Sequence, residues 1–142
     1  MADRATSRRI GPGRVLVCCY VLFVVAAGAR SAVQLGTHPD RAPVAYALSV
    51  LAALTYLVEL VLLVRVERRP GTRRRRAAMV GCAVELAGVL AVGAASVLRP
   101  TAFPDATVWS WFGAGYGFVP LVLPVLAVLW LRIGVVFATR GP

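Results

Sequence analysis

Four runs of apolar residues, each about 20 long, alternate with shorter stretches that are polar, glycine-rich or aromatic. The runs cover about residues 15–35, 43–64, 77–98 and 118–137. At a helical rise of ~1.5 Å per residue, such a run spans ~30 Å, the thickness of a bilayer's hydrocarbon core. Lipid offers the backbone no hydrogen-bond partners, so each run predicts an α-helix. Local chemistry marks the breaks. Gly36 and His38-Pro39-Asp40 end the first helix, and Pro43 suits the first turn of the second. Pro70-Gly71 forms a turn, and Arg99-Pro100 closes the third helix. The short first connection predicts an antiparallel hairpin. The expected fold is therefore all-α, an integral membrane four-helix bundle. Residues 15–137 form one domain between a basic tail, 1–14, and a short tail, 138–142.

Composition supports this. The chain has 142 residues, 59% of them apolar, and a mean hydropathy of +0.77. Soluble domains sit near 45–50% apolar, and a chain this small has too little interior to hide the excess. The start of the chain also carries features of a cleaved signal peptide: Arg8-Arg9, an apolar stretch and the small residues Ala27-Gly28-Ala29. The apolar run continues past that site to Leu35, which favours a retained span.

Net charge is +10, from sixteen arginines and no lysine. Arg4, Arg8, Arg9 and Arg14 precede the first span; Arg65, Arg68, Arg69, Arg73, Arg74, Arg75 and Arg76 surround the second connection; Arg140 follows the fourth span. Only Arg30, Arg41 and Arg99 lie toward the other side. The positive-inside rule then predicts a multi-pass protein of a bacterial plasma (inner) membrane, with both termini and the central connection cytoplasmic. Arg68, Arg69 and Arg73–Arg76 are candidates for contact with anionic lipid headgroups, each attracted by ~1 kcal/mol. This placement accounts for the charge without nucleic acid.

Three charges fall within apolar runs: Glu59, Glu85 and Arg132. Each costs at least ~2.5–3.5 kcal/mol near a bilayer centre, so such groups face the bundle and find partners. Their depths agree within one helical turn, which predicts a polar cluster with Arg132 bridging one or both carboxylates through its planar fork. A clasp that fixes helix register is one role for it; a proton or cation pathway is another. Snorkelling of Arg132 to the inner headgroups is a third arrangement. Arg30 either snorkels outward or pairs with Asp40 or Asp105.

The stretch from Pro100 to Gly117 is long for a connector and rich in aromatic residues. Asp105 could cap a short helix with Trp109, Phe112 and Tyr116 on one face, next to Trp111, suited to the outer headgroup zone. Pro120 suits the first turn of the fourth helix, and Pro124 predicts a kink deeper in it. Ala83, Ala87, Ala91 and Ala95 form a small-residue stripe on the third span, and Ala45, Ser49 and Ala53 form one on the second. Such stripes let helices approach closely, within one chain or between copies. Cys18, Cys19 and Cys82 form no C-x-x-C pair and lie far in sequence from His38, so neither metal nor cofactor is expected.

The runs Pro104-Asp105-Ala106-Thr107-Val108-Trp109, Gly113-Ala114-Gly115-Tyr116-Gly117-Phe118-Val119-Pro120-Leu121-Val122-Leu123-Pro124, Ala29-Arg30-Ser31-Ala32-Val33-Gln34-Leu35 and Glu85-Leu86-Ala87-Gly88-Val89 are similar to a family of small actinobacterial integral membrane proteins of unknown function. The resemblance implies four spans and an actinobacterial plasma membrane, and it carries no activity. The chain departs from small multidrug exporters, whose key glutamate sits in the first span, where this chain has Arg30.

The sequence has no phosphate-binding loop, metal cluster or nucleophilic triad, so no enzymatic activity is expected. The leading expectation is a structural or accessory membrane subunit that binds a membrane-protein partner or a second copy of itself. The alternative is a small transporter or proton/cation pathway using Glu59, Glu85 and Arg132.

Overall fold

A computed structural model describes residues 11–37 and 42–138. It contains four long helices: α1 (Pro12–Thr37), α2 (Pro43–Arg68), α3 (Thr72–Leu98) and α4 (Val119–Ala138). Two short 3-10 segments, Pro100–Ala102 and Ser110–Tyr116, fill the third connection. The first three helices are each long and apolar enough to cross a membrane. The fourth apolar stretch joins the second 3-10 segment across a 94° bend. The protein is thus an all-helical, multi-pass membrane-type bundle. The predicted break at His38-Pro39-Asp40, Arg41, Arg140 and most of both predicted tails lie outside the described residues.

Helix ends follow the predicted punctuation, with Pro43 opening α2 and Pro70-Gly71 separating α2 from α3. The helices overrun the apolar spans, because α2 continues through Arg65–Arg68 and α3 already begins at Thr72. Arginine is a good helix former, so charge ends the lipid span without ending the helix. The helix runs on through Ala27-Gly28-Ala29 without a break. α4 likewise continues through Pro124, and the sharp bend lies before the helix.

Each helix packs against its sequence neighbours, and α4 returns to α1 to close the ring. The buried positions explain the packing. On α2 they include Ala45, Ser49, Ala52, Tyr56, Glu59, Leu63 and Val66, with Tyr46 beside Ala45; on α3 they include Ala78, Cys82, Glu85, Val89, Val92 and Ser96, with Gly93 beside Val92. Steps alternating between three and four residues give the 3.5-residue repeat of helices packed nearly parallel in a bundle. The outer faces stay apolar: Leu22, Val25, Leu54, Val58, Val84 and Leu129 all point outward. An apolar surface this continuous calls for lipid rather than water. Hydroxyls in the spans satisfy themselves: Ser31, Ser49 and Thr55 donate to the carbonyls of Ala27, Ala45 and Leu51 at 2.8, 2.9 and 2.8 Å.

The two small-residue stripes part company. Ala45 and Ser49 on α2 are buried, whereas Ala83, Ala87 and Ala91 on α3 face outward. Close approach to α3 instead uses its glycines. A Cβ on Gly88 would lie 2.7 Å from the Trp109 ring, and one on Gly93 would lie 2.5 Å from the Phe112 ring. Gly88→Ala is therefore expected to destabilise the fold by about 1–3 kcal/mol through overpacking. Ala87→Leu, on the outward face, should stay within about 0.5 kcal/mol. Thermal unfolding in mild detergent checks the pair; equal effects would contradict this packing.

Candidate functional site

Glu59 and Glu85 are both fully buried. They sit on the inward stripes of adjacent antiparallel helices, roughly 9 and 14 Å along the helices from Arg65 and Arg76 at ~1.5 Å per residue. Cys82, one turn before Glu85, directs its thiol to Glu59 Oε1 at 3.2 Å. Tyr20, from α1, donates its hydroxyl to Glu85 Oε2 at 2.8 Å and so bridges the bundle from α1 to α3. Each carboxyl thus has one oxygen held by a neutral donor. The second oxygens, Glu59 Oε2 and Glu85 Oε1, are buried with no hydrogen-bond partner.

Arg132 does not join them. It is exposed, whereas both carboxyls are fully buried. The reason is helical phase. The inward face of α4 carries Leu123, Ala127 and Leu131, and one further residue rotates Arg132 about 100° off that face. The predicted three-residue cluster is corrected to a carboxyl pair with a tyrosine and a thiol. Among the described residues, no group of three or more His, Cys, Asp or Glu could hold a metal ion.

An aromatic layer lies on the far side of the pair. Tyr56, one turn before Glu59, packs its ring against Tyr20 at 6.4 Å, Phe23 at 5.4 Å and Trp109 at 6.3 Å between centroids. Its hydroxyl accepts the Trp109 indole N–H at 2.8 Å. Trp109 belongs to the segment predicted to lie in the headgroup zone, yet only 2% of it is exposed. Phe112 packs on Gly93, and Tyr116 meets Phe23 at 6.0 Å. These three aromatics do share a side, but it faces the bundle; Trp111, 53% exposed, is the one turned outward.

Local chemistry explains the inward turn. Thr107 Oγ1 accepts the backbone N–H groups of Trp109 and Ser110 at 3.2 and 3.0 Å, and Ser110 Oγ accepts the N–H of Thr107 at 2.8 Å. Trp111, Phe112 and Gly113 then run left-handed, with φ of 56°, 59° and 79°. Left-handed backbone costs about 1–2 kcal/mol at each non-glycine residue. The Trp111 N–H bond to Ser96 Oγ, at 2.8 Å, and the buried rings hold it in place. Asp105 caps no helix and instead accepts the Tyr46 hydroxyl at 2.7 Å. Of the two acids expected near Arg30, Asp40 lies outside the described residues and Asp105 accepts from Tyr46. Arg30 donates to the Ala106 carbonyl at 2.6 Å and reaches the Tyr116 hydroxyl at 3.5 Å, tying α1 to the same segment.

At the other end of the bundle, Arg65, Arg68, Arg69 and Arg74 surround an open polar depression, and Arg74 donates to the Arg69 carbonyl at 3.1 Å. Arg73 and Arg76 are exposed and Arg75 is half-buried.

Tyr20 and Cys82 are the site residues that sequence reasoning missed. The signal was available in part: Cys82 and Glu85 are three residues apart and share a helical face, but nothing in α1 alone aims Tyr20 at α3. Comparison with known proteins gives no match: no family model fits the chain, and no curated protein or solved structure is significantly similar.

Gly81 sits against the pair. A Cβ there would run into Glu59 Oε2 and would lie 3.2 Å from Leu62 Cδ1. Gly81→Ala is expected to lower stability by about 1–3 kcal/mol. A double-mutant cycle with Glu59→Ala should show a coupling above about 0.5 kcal/mol. Simple additivity in the thermal unfolding data would mean that Glu59 and Gly81 are not in contact.

Proposed function

We propose that this protein is a small membrane carrier that binds a proton, or a cation in its place, at the Glu59–Glu85 pair. The observation behind this reading is the burial of two carboxyl groups with no basic residue beside them among the described residues. Ionised and unpaired, each would cost at least ~2.5–3.5 kcal/mol on insertion scales. The pair therefore holds a proton or a cation whenever the bundle has the present form. A clasp built on arginine would need Arg132 inside the bundle, and Arg132 faces outward. The accessory-subunit reading takes the arginine-rich connection and the outer aromatic segment as docking surfaces; the arginines are largely exposed, whereas with Trp109 turned inward Trp111 is the one tryptophan of the aromatic segment left exposed.

In this reading the chain lies in a bacterial plasma membrane, with both termini and the Arg65–Arg76 connection cytoplasmic. The arginine bias supports that orientation, and anionic headgroups suit the depression among Arg65, Arg68, Arg69 and Arg74. The aromatic layer of Tyr56, Phe23 and Trp109 closes the outer side of the pair. Release to that side would need the layer to move, as alternating access requires.

Reconstitution into liposomes with an internal pH-sensitive dye tests the proposal. Under an imposed proton gradient, the wild type should dissipate it faster than protein-free vesicles. Glu59→Gln and Glu85→Gln should each return the rate to the protein-free level, and Arg132→Ala should keep the wild-type rate. Wild-type vesicles no leakier than empty ones would refute the carrier reading.

A further inference from the structure

Between α2 and α3, on the outward face, Leu51, Leu54, Thr55, Val58, Gly81 and Val84 line a groove of about 300 Å³. Leu51, Leu54, Val58 and Val84 are each more than half exposed, so the groove opens sideways toward lipid. Its walls are apolar in effect, because the Thr55 hydroxyl is committed to the Leu51 carbonyl at 2.8 Å. Gly81 is the thin point of the wall: the space a side chain would take there is occupied by Glu59 Oε2. That oxygen has no hydrogen-bond partner, and Glu59 is fully buried. An apolar groove open to the bilayer thus ends at Gly81, and an unpartnered carboxyl oxygen lies buried directly behind that glycine.

We propose that this groove is a lateral binding site for an amphiphilic organic cation. Its ammonium or phosphonium centre would sit at Gly81, facing the Glu59 carboxyl across that thin point, and its apolar substituents would lie along the groove. The proposal rests on the reading of Glu59 as a cation-binding acid and adds the substrate class and the route. Charge complementarity selects a cation over a neutral or anionic amphiphile. A hydrated inorganic ion finds no polar wall to replace its water along this route. A neutral acyl chain would fill the groove and leave the carboxyl oxygen without a partner.

Equilibrium binding of radiolabelled tetraphenylphosphonium to the protein in lipid nanodiscs tests this. The expected result is saturable binding by the wild type, lost in Glu59→Gln. Val58→Trp, which fills the groove from the lipid side without touching the carboxyl, should weaken binding by roughly tenfold or more. Leu126→Trp, on the outward face of α4, should leave it unchanged. Size-exclusion profiles and thermal unfolding confirm that each variant is folded. Binding that is lost in Glu59→Gln but indifferent to Val58→Trp would overturn the lateral route, and binding indifferent to both would overturn the site. If tetraphenylphosphonium does not bind while Glu59→Gln still abolishes proton flux, the groove proposal falls and the carrier reading stands. If the wild type shows neither binding nor flux, both fall.

Discussion

A carboxyl group inside a lipid-embedded bundle has to be neutralised or hydrogen-bonded, and this protein buries two on adjacent helices without a basic side chain near either among the described residues. Much of the interior is arranged around that demand. α1 supplies the Tyr20 hydroxyl to Glu85, and α3 supplies the Cys82 thiol to Glu59. Gly81 leaves room for the Glu59 carboxyl where α2 and α3 meet. Each carboxyl keeps one oxygen without a protein partner, so the fold accommodates the pair without fully satisfying it. A purely structural polar clasp would be expected to satisfy all of its members, since a half-satisfied network is worse than an apolar core.

The segment before α4 serves the same interior. Its left-handed turn is costly, and the cost is offset by burying Trp109 and Phe112 against the glycines of α3 and by the indole bond to Tyr56. The result is an aromatic layer directly above the carboxyl pair, tied to α1 through Arg30 and to α2 through Tyr46–Asp105. Strained backbone of this kind persists only where the surrounding contacts over-determine it, and here the buried rings and the Ser96 bond do so.

Much of this architecture is legible in the sequence. Run length and lipid thickness predict the four helices, and Pro43, Pro70-Gly71 and Pro120 mark turns and first turns that the structure retains. Single-residue phase is harder to read. Depth along the helix predicts Arg132 level with the acids, but depth says nothing of direction, and a 100° step takes it off the Leu123–Ala127–Leu131 face. Small-residue spacing has the same ambiguity: Ala83, Ala87 and Ala91 repeat as regularly as Ala45 and Ser49 yet face outward. Residue type alone points Trp109 to a headgroup zone; its inward course depends on the Thr107–Ser110 turn and on the glycines awaiting it in α3, which only three-dimensional pairing reveals.

Whether the Glu59–Glu85 pair exchanges a proton is read by infrared difference spectroscopy of the protein in lipid across a pH titration, with Glu59→Gln and Glu85→Gln used to assign the carboxylic acid C=O stretch. The expected result is a protonated-carboxyl band that belongs to these two residues and disappears as the pair gives up its proton to base or to a bound cation. A band that stays constant at every accessible pH and under every added cation would make the pair a fixed structural element that carries neither proton nor cation.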